Sequence, residues 1–376
     1  MSEIKRVGLS SVDVARNDAV ISWNHHAPAT HGMLQIDLEL NGDVIKSATP
    51  RLGSMHRGAE KLFESRDYRQ VLGLANRHEW LSAFSGEVGI ACLIEREIGI
   101  DVPQSAKWLR TLLLEVFRIS SHLSFIAGFP YDNAQLTDQI RKIREHIVAH
   151  LRAYTGSRMH PMLTQIGGLT HAPTENWLTE LKTVTALVTR TINETVPEIS
   201  DELVKFENAG MISSEDVMTY SLSGPVARAS GVAIDIRTSS PQLNYSQLQT
   251  TATSTEQEGD VPARIRQLCN EVITSCSMVD EIVDRTRSYL NEEVNVLIPK
   301  VLRVPEGEYE YSIETPLGIA SWLLVSKGDK YPYRLALRPA SLHTVLALSV
   351  ALKNEPESNL PYILASMPFV TGDADR

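Results

Sequence analysis

The hydrophobic spacing changes twice along this chain, and those two changes constrain the fold more than any other feature. Across Met33 to Leu40 apolar and polar side chains alternate at period two, and Asn41-Gly42 supplies a tight turn before Val44-Ile45, which predicts a β-hairpin. From Gly58 the spacing becomes helical. Trp108, Leu109, Leu112, Leu113, Val116 and Ile119 fall on one stripe, with Lys107, Arg110 and Glu115 off it and Pro103 just ahead of the start. Further helical patterns run over about Asp138 to Tyr154, Glu175 to Thr195 and Val261 to Leu290. Strand spacing returns at Glu308 to Ile313, Ala320 to Val325 and Tyr333 to Leu337, with Gly328-Asp329 as a turn. Residues 1–20 lack a clear period and suit an arm or an edge strand, while Thr250 to Asp260, rich in Thr, Ser, Glu and Gln, suits a mobile excursion. The pattern predicts an α+β fold: an N-terminal arm and hairpin over 1–57, a helical bundle core over 58–304, and a C-terminal α+β segment over 305–376 packed on that core.

Composition narrows the chemistry. A formal charge of −10 with no basic cluster argues against nucleic-acid binding, which needs Lys and Arg gathered on one face. Three scattered cysteines, Cys92, Cys269 and Cys276, cannot build a metal knuckle or an iron-sulfur cage, so any cluster is expected in a partner. The low cysteine count and the absence of an N-terminal apolar leader read as a reduced, cytosolic chain. The longest apolar stretch, Leu123 to Pro130, falls short of the roughly 20 residues a membrane span requires, so a membrane process would be served from outside the bilayer. No Gly-x-Gly-x-x-Gly fingerprint is present, and the chain by itself is not expected to oxidise NADH.

Several segments, in order, resemble one family. They are Pro28-Ala29-Thr30-His31-Gly32, Leu52 to Lys61, Arg118-Ile119-Ser120-Ser121-His122-Leu123, Ile166-Gly167-Gly168, Gly210-Met211-Ile212-Ser213, Arg228 to Val232, Asp235-Ile236-Arg237, Tyr333-Arg334 and Gly372-Asp373-Ala374-Asp375-Arg376. Together they resemble the 49 kDa (D-type) subunit of proton-pumping NADH:quinone oxidoreductase, respiratory complex I, over almost the whole chain. The resemblance implies the fold of the nickel-iron hydrogenase large subunit. Hydrogenases hold their metals with two Cys-x-x-Cys pairs. Here the early pair falls on Glu79 and Ser82, and the late one within Ala365 to Val370 without a cysteine, so hard oxygen donors stand where a soft metal centre needs thiolates. No metal is expected on this chain.

The resemblance further implies a peripheral component on the cytoplasmic face of the membrane, forming one wall of a quinone cavity. Quinone is then a substrate. The implied partners are a B-like iron-sulfur subunit, a C-like subunit and an H-like subunit of the membrane arm. His31 matches the histidine at the quinone headgroup, flanked by Thr30 and Gly32, and Asp132 matches the carboxylate paired with it. A reduced quinone is basic at its oxygens, and an imidazole with a carboxylate beside it suits proton donation near neutral pH. Without the resemblance the plainer reading is favoured: His31 caps the entry to a strand and Asp132 caps the helix that follows. Arg57-Gly58-Ala59-Glu60 resembles the hydrogenase signature and predicts a buried Arg57–Glu60 pair shaping the cavity beside His56; a solvated helix start is the plainer reading. His122 reads as a core histidine.

The chain departs from the family pattern at one chemically important position. Trp80 stands where the headgroup tyrosine is expected, and an indole N–H donates a hydrogen bond but does not release its proton as a phenol can. Ala27, Gln165, Pro161, Leu317-Gly318-Ile319 and Pro368-Phe369 also replace polar or charged family residues. Two readings follow: a quinone-cavity wall built around Trp80, or a divergent paralogue of the same fold acting as a scaffold or serving another redox complex.

Overall fold

The computed structural model describes residues 33–249 and 255–376, together with the backbone of residues 3–8. Strands β1 (Glu3–Gly8), β2 (Gln35–Asn41) and β3 (Val44–Arg51) form an antiparallel sheet with β2 in the centre. The period-two alternation sends Ile36, Leu38 and Leu40 inward, and a bulge at Glu39/Leu40 bends the hairpin. This sheet is stapled to the far end of the chain. The Ile45 and Asn354 amides donate to the Glu355 and Ile45 carbonyls at 2.8 and 2.7 Å, and the Glu357 amide donates to the Asp43 carbonyl at 2.7 Å.

Helices follow: α1 (Ala59–Phe63), α2 (Tyr68–Ala75), α3 (Ala83–Ile98), α4 (Gln104–Gly128) and α5 (Ala134–Thr155). The short strands β4 (Thr164–Gln165) and β5 (Gly168–Leu169) pair before α6 (Glu175–Leu203), which continues through Pro197. Then come α7 (Ser214–Thr219), α8 (Gly224–Ala229) and α9 (Val261–Arg287), the last capped by Asp260 accepting from the Ala263 amide at 2.9 Å. Residues 250–254 lie outside the described residues. The rest of the stretch expected to be mobile is tied down, because Glu256 and Glu258 both pair with Arg266.

The sheet of β6 (Gly307–Thr315), β7 (Gly318–Ser326) and β8 (Arg334–Arg338) packs β6 on α3. It leads to α10 (Ala340–Ala351), α11 (Leu360–Ser366) and the C-terminal turn α12 (Thr371–Ala374).

Helix α4 is the axis of the bundle, with α5 and α9 packed along it. The sequence stripe suggests one apolar face, but every residue from Trp108 to Gly128 is buried, including Arg110, Glu115, Arg118 and His122. The off-stripe charges are not solvated. They meet partners on other elements, as a helix enclosed on all sides requires.

Candidate functional site

Three segments far apart in sequence meet beside α4: the loop before α1, the 3-10 turn Trp80–Ser82, which packs on that helix, and the C-terminal turn α12. The Asp375 carboxylate binds the loop by accepting from the Gly53 and Met55 amides, each at 2.7 Å, and the Asp375 carbonyl lies 2.9 Å from His56 Nδ1. Trp80 is partly buried, and its benzene ring lies on Gly372. A Cβ built at position 372 would come within 2.7 Å of the ring's Cη2, closer still to Cζ3, and within 3.5 Å of Met55. The indole is thus seated on the terminal turn.

The residues flanking that contact carry carboxyls. Glu79 precedes Trp80 and Asp373 follows Gly372, and both are buried, at 7% and 4% exposure. Burial raises the Glu79 carboxyl well above its ordinary range, and the neighbouring Asp373 charge raises it further, against the Thr315 hydroxyl and the Arg118 guanidinium. Burial likewise raises Asp373 to about 6, against hydrogen bonds from Ser341 and the charge of Arg376. Glu79 Oε1 and Thr371 Oγ1 are buried without a hydrogen-bond partner. Ser82 and Ser85 share a 2.7 Å hydrogen bond beside them. Next to this group His78 is buried with both ring nitrogens unpartnered, and burial, with a smaller contribution from the Arg57 charge, lowers it to about 4.

Behind the site lies a frame of buried charge. Arg118 donates to Glu115 at 3.2 Å and to the Thr315 and Glu314 carbonyls at 2.9 and 3.1 Å. Arg228 bridges Glu271 at 2.7 Å and Glu314 at 2.9 Å, and Arg237 reaches Glu115 at 3.3 Å. Glu115 also accepts from Tyr245 and Ser275 and sits at about 2, where the Arg118 and Arg237 charges overcome the effect of burial. His122 is a core histidine, fully buried with Nε2 3.0 Å from Glu271. This frame holds β6 so that Thr315 faces Glu79.

The expected site residues are placed as follows. His56, Glu60 and Trp80 converge on the C-terminal turn. The Arg57–Glu60 pair does not form. Gly58 takes φ +64 ahead of α1, which leaves Arg57 outside the helix, exposed and donating to the Arg77 carbonyl at 3.0 Å. Glu60 instead pairs with Arg334, lies 3.6 Å from Arg376 and accepts from the Leu337 amide at 2.9 Å. On its outer side is an open pocket of about 380 Å³ lined by Glu60, Trp322, Arg334, Leu337, Arg338 and Arg376. Asp132 does not join the group. Its carboxylate is 74% exposed and pairs with Lys205, and Asn133, not Asp132, caps α5. Thr30, His31 and Gly32 lie outside the described residues, so the imidazole–carboxylate pair with Asp132 is not described either. The sequence reading missed Glu79 and Asp373 as titrating groups. The available signal was adjacency: Glu79 precedes Trp80, and Asp373 lies within the Gly372-Asp373-Ala374-Asp375-Arg376 ending that carries the resemblance.

Comparison with known proteins decides the family. The model of the family described as respiratory-chain NADH dehydrogenase, 49 Kd subunit, matches residues 137–376. The D 1 subunit of NADH-quinone oxidoreductase from Streptomyces coelicolor is 40% identical over 370 residues, covering 96% of this chain and 95% of its own length. The chain belongs to the 49 kDa subunit family. A second family member, the D 2 subunit from Streptomyces griseus, is 38% identical over 96% of this chain and 93% of its own. Among solved structures, a chain of the membrane-bound sulfane sulfur reductase, an archaeal respiratory membrane complex, superposes with a TM-score of 0.85 at 26% identity, over 94% of this chain and 97% of that one. The expected α+β fold and the family assignment both hold, and the chain is a component of an oxidoreductase complex of the complex I type. Among the described residues no helix is long and apolar enough to cross a membrane, and no three His, Cys, Asp or Glu side chains are grouped to hold a metal ion.

Proposed function

We propose that this chain forms one wall of a quinone-binding cavity in a complex I-type NADH:quinone oxidoreductase. It would work on the cytoplasmic face of the membrane against a B-like iron-sulfur subunit, with a C-like subunit and an H-like membrane-arm subunit alongside. The observation that carries this reading is the seating of Trp80 on Gly372, which fixes a donor-bearing ring in the position where the family resemblance puts the headgroup tyrosine. Electrons reach the quinone from the partner's cluster. His31 donates a proton, Thr30 and Gly32 shape its surroundings, and Trp80 packs on or hydrogen-bonds the headgroup. Asp132, which lies apart from the Trp80 group and pairs with Lys205, would have to release Lys205 to orient and recharge His31, as the resemblance implies. That release is inexpensive, because an exposed ion pair of this kind is worth about 1 kcal/mol or less.

The test is purification of the tagged chain from its native host at mild salt, with quinone-reductase assay of what accompanies it, for wild type and His31→Ala. An iron-sulfur partner recovered with quinone reduction lost in the variant is the expected result. Active complex indifferent to His31→Ala would overturn the donor role, and recovery of the chain alone without activity would favour a scaffold. A second reading, service in a different redox complex, draws on the likeness to the sulfane sulfur reductase chain and on the loss of the phenol at Trp80. Reduction of a sulfane sulfur acceptor but not quinone by the same preparation would select it.

A further inference from the structure

We propose that Glu79 and Asp373 together hold one exchangeable proton behind Trp80, and that this pair supplies it to the acceptor reduced at the Trp80 wall. This deepens the cavity-wall reading and rests on it for the identity of the acceptor, though not for the existence of the shared proton.

The geometry is that of two chain segments closed on each other. Trp80 lies on Gly372, which closes the segments bearing Glu79 and Asp373 on each other; both carboxyls are buried, and the Asp373 charge bears on Glu79. Each carboxyl has hydroxyl company on an adjoining element: Thr315 of β6 at Glu79, and Ser341 of α10 at Asp373. The cations facing them are Arg118 of α4, whose guanidinium is already committed to Glu115 and two carbonyls, and Arg376, which also serves Glu60 and the Leu337 carbonyl. Neither cation is free to neutralise two carboxylates. Glu79 Oε1 then remains buried without a hydrogen-bond partner, which penalises its ionised form. A proton removes that charge, and because each carboxylate disfavours ionisation of the other, one proton serves both. The unpartnered Thr371 hydroxyl lies on the same terminal turn.

The chemistry this permits is the part Trp80 cannot perform. Reduction of a quinone to a quinol takes two electrons and two protons, turning both carbonyls into hydroxyls. The electrons come from the iron-sulfur partner, one proton comes from His31, and the second leaves the Glu79–Asp373 pair. The pair is then doubly ionised until a proton returns through the slight opening that leaves Glu79 7% and Asp373 4% exposed. In this arrangement the phenolic proton missing at position 80 is replaced by one held a residue away.

The assembled complex purified from the native host tests this with Glu79→Gln, Asp373→Asn and Glu79→Asp. Two readouts are used: the infrared carboxylic-acid band at neutral pH, and the pH profile of quinone reduction. The expected result is a band in wild type that either amide variant removes. Quinone reduction should fall on the order of 100-fold in Glu79→Gln, as loss of a positioned acid does. Wild type should show a decline of rate with rising pH; Glu79→Gln should lose that decline, whereas Glu79→Asp should keep it. Absence of the band in wild type, or wild-type rate and pH profile in both amide variants of an assembled complex, would overturn the proposal. If wild type reduces no quinone, the cavity-wall reading fails, and the band alone then decides whether the pair holds a proton.

Discussion

Gly372 has no side chain because Trp80 occupies the space one would take, and this single contact couples the C-terminal turn to the site. In Gly372→Ala the new methyl has to displace the indole or lift α12, and overpacking of this kind costs about 1–3 kcal/mol. The expected outcome is a lower thermal midpoint with a shifted tryptophan emission. In a Trp80→Tyr background the same substitution should cost less, because the smaller ring can recede, and a double-mutant cycle reads that difference directly. Additive penalties would show that the two residues do not bear on each other. At this scale the sequence was partly legible. Trp80 was identifiable as a substitution of chemical consequence, since an indole differs from a phenol wherever it sits. Glu79 and Asp373 were not identifiable as a pair. They are brought together only by the closure of a turn at the far end of the chain, and no local pattern encodes that.

Among the helices, α4 shows where spacing misleads. A hydrophobic stripe reports which residues avoid water, but it cannot report that the opposite face is also enclosed. Arg110 is fully buried and donates to both oxygens of Glu95 on α3 at 2.7 Å, and to the Gln165 and Gly168 carbonyls at 3.0 Å each. Glu95 also accepts from the Gly167 amide at 2.7 Å, so the pair locks α3, α4 and the β4–β5 turn into one unit. Arg110→Met strands a buried carboxylate and two carbonyls, with an expected loss of about 3–5 kcal/mol. The double variant Arg110→Met/Glu95→Met should recover part of that loss, because the stranded charge goes with it. Lys205→Ala, which breaks only the exposed pair with Asp132, should cost less than about 1 kcal/mol. Urea midpoints at constant slope measure all three. Equal losses in the single and double core variants would mean that the penalty lies in packing and not in the stranded charge. The strands and helix starts were legible because alternation and Pro103 act locally, whereas ion pairs join residues as far apart as Glu115 and Arg237, 122 positions, and Glu60 and Arg334, 274 positions.

Across the whole molecule the buried groups oppose one another as pH changes. His78 is lowered from 6.5 to about 4, so as pH falls through 6.5 the unfolded chain takes the proton first and stability is lost down to about 4. Burial lowers His122, His150, His160 and His343 as well, with the same sign. Asp373, raised from 3.8 to about 6, and Glu79, raised from 4.5, act the other way: the folded chain takes their proton first, and stability is gained as pH falls from about 6. The two effects overlap between about pH 4 and 6. Below that window Glu115, held at about 2, and Glu271, lowered mainly by Arg228, stay ionised in the folded chain while the unfolded chain takes protons through the ordinary carboxyl range, so their contribution to stability is lost. Wild type should therefore lose stability only gradually between pH 6.5 and 4 and steeply below. The double variant Glu79→Gln/Asp373→Asn removes the compensating carboxyls and should lose stability more steeply across that upper window. His78→Phe should flatten it. Urea midpoints of the full-length chain over this pH range distinguish these slopes, and identical slopes in wild type and the carboxyl variant would show that neither carboxyl is protonated on folding. This balance cannot be read from composition, which counts 11 histidines and a charge of −10 but not which groups the closed C-terminus removes from water.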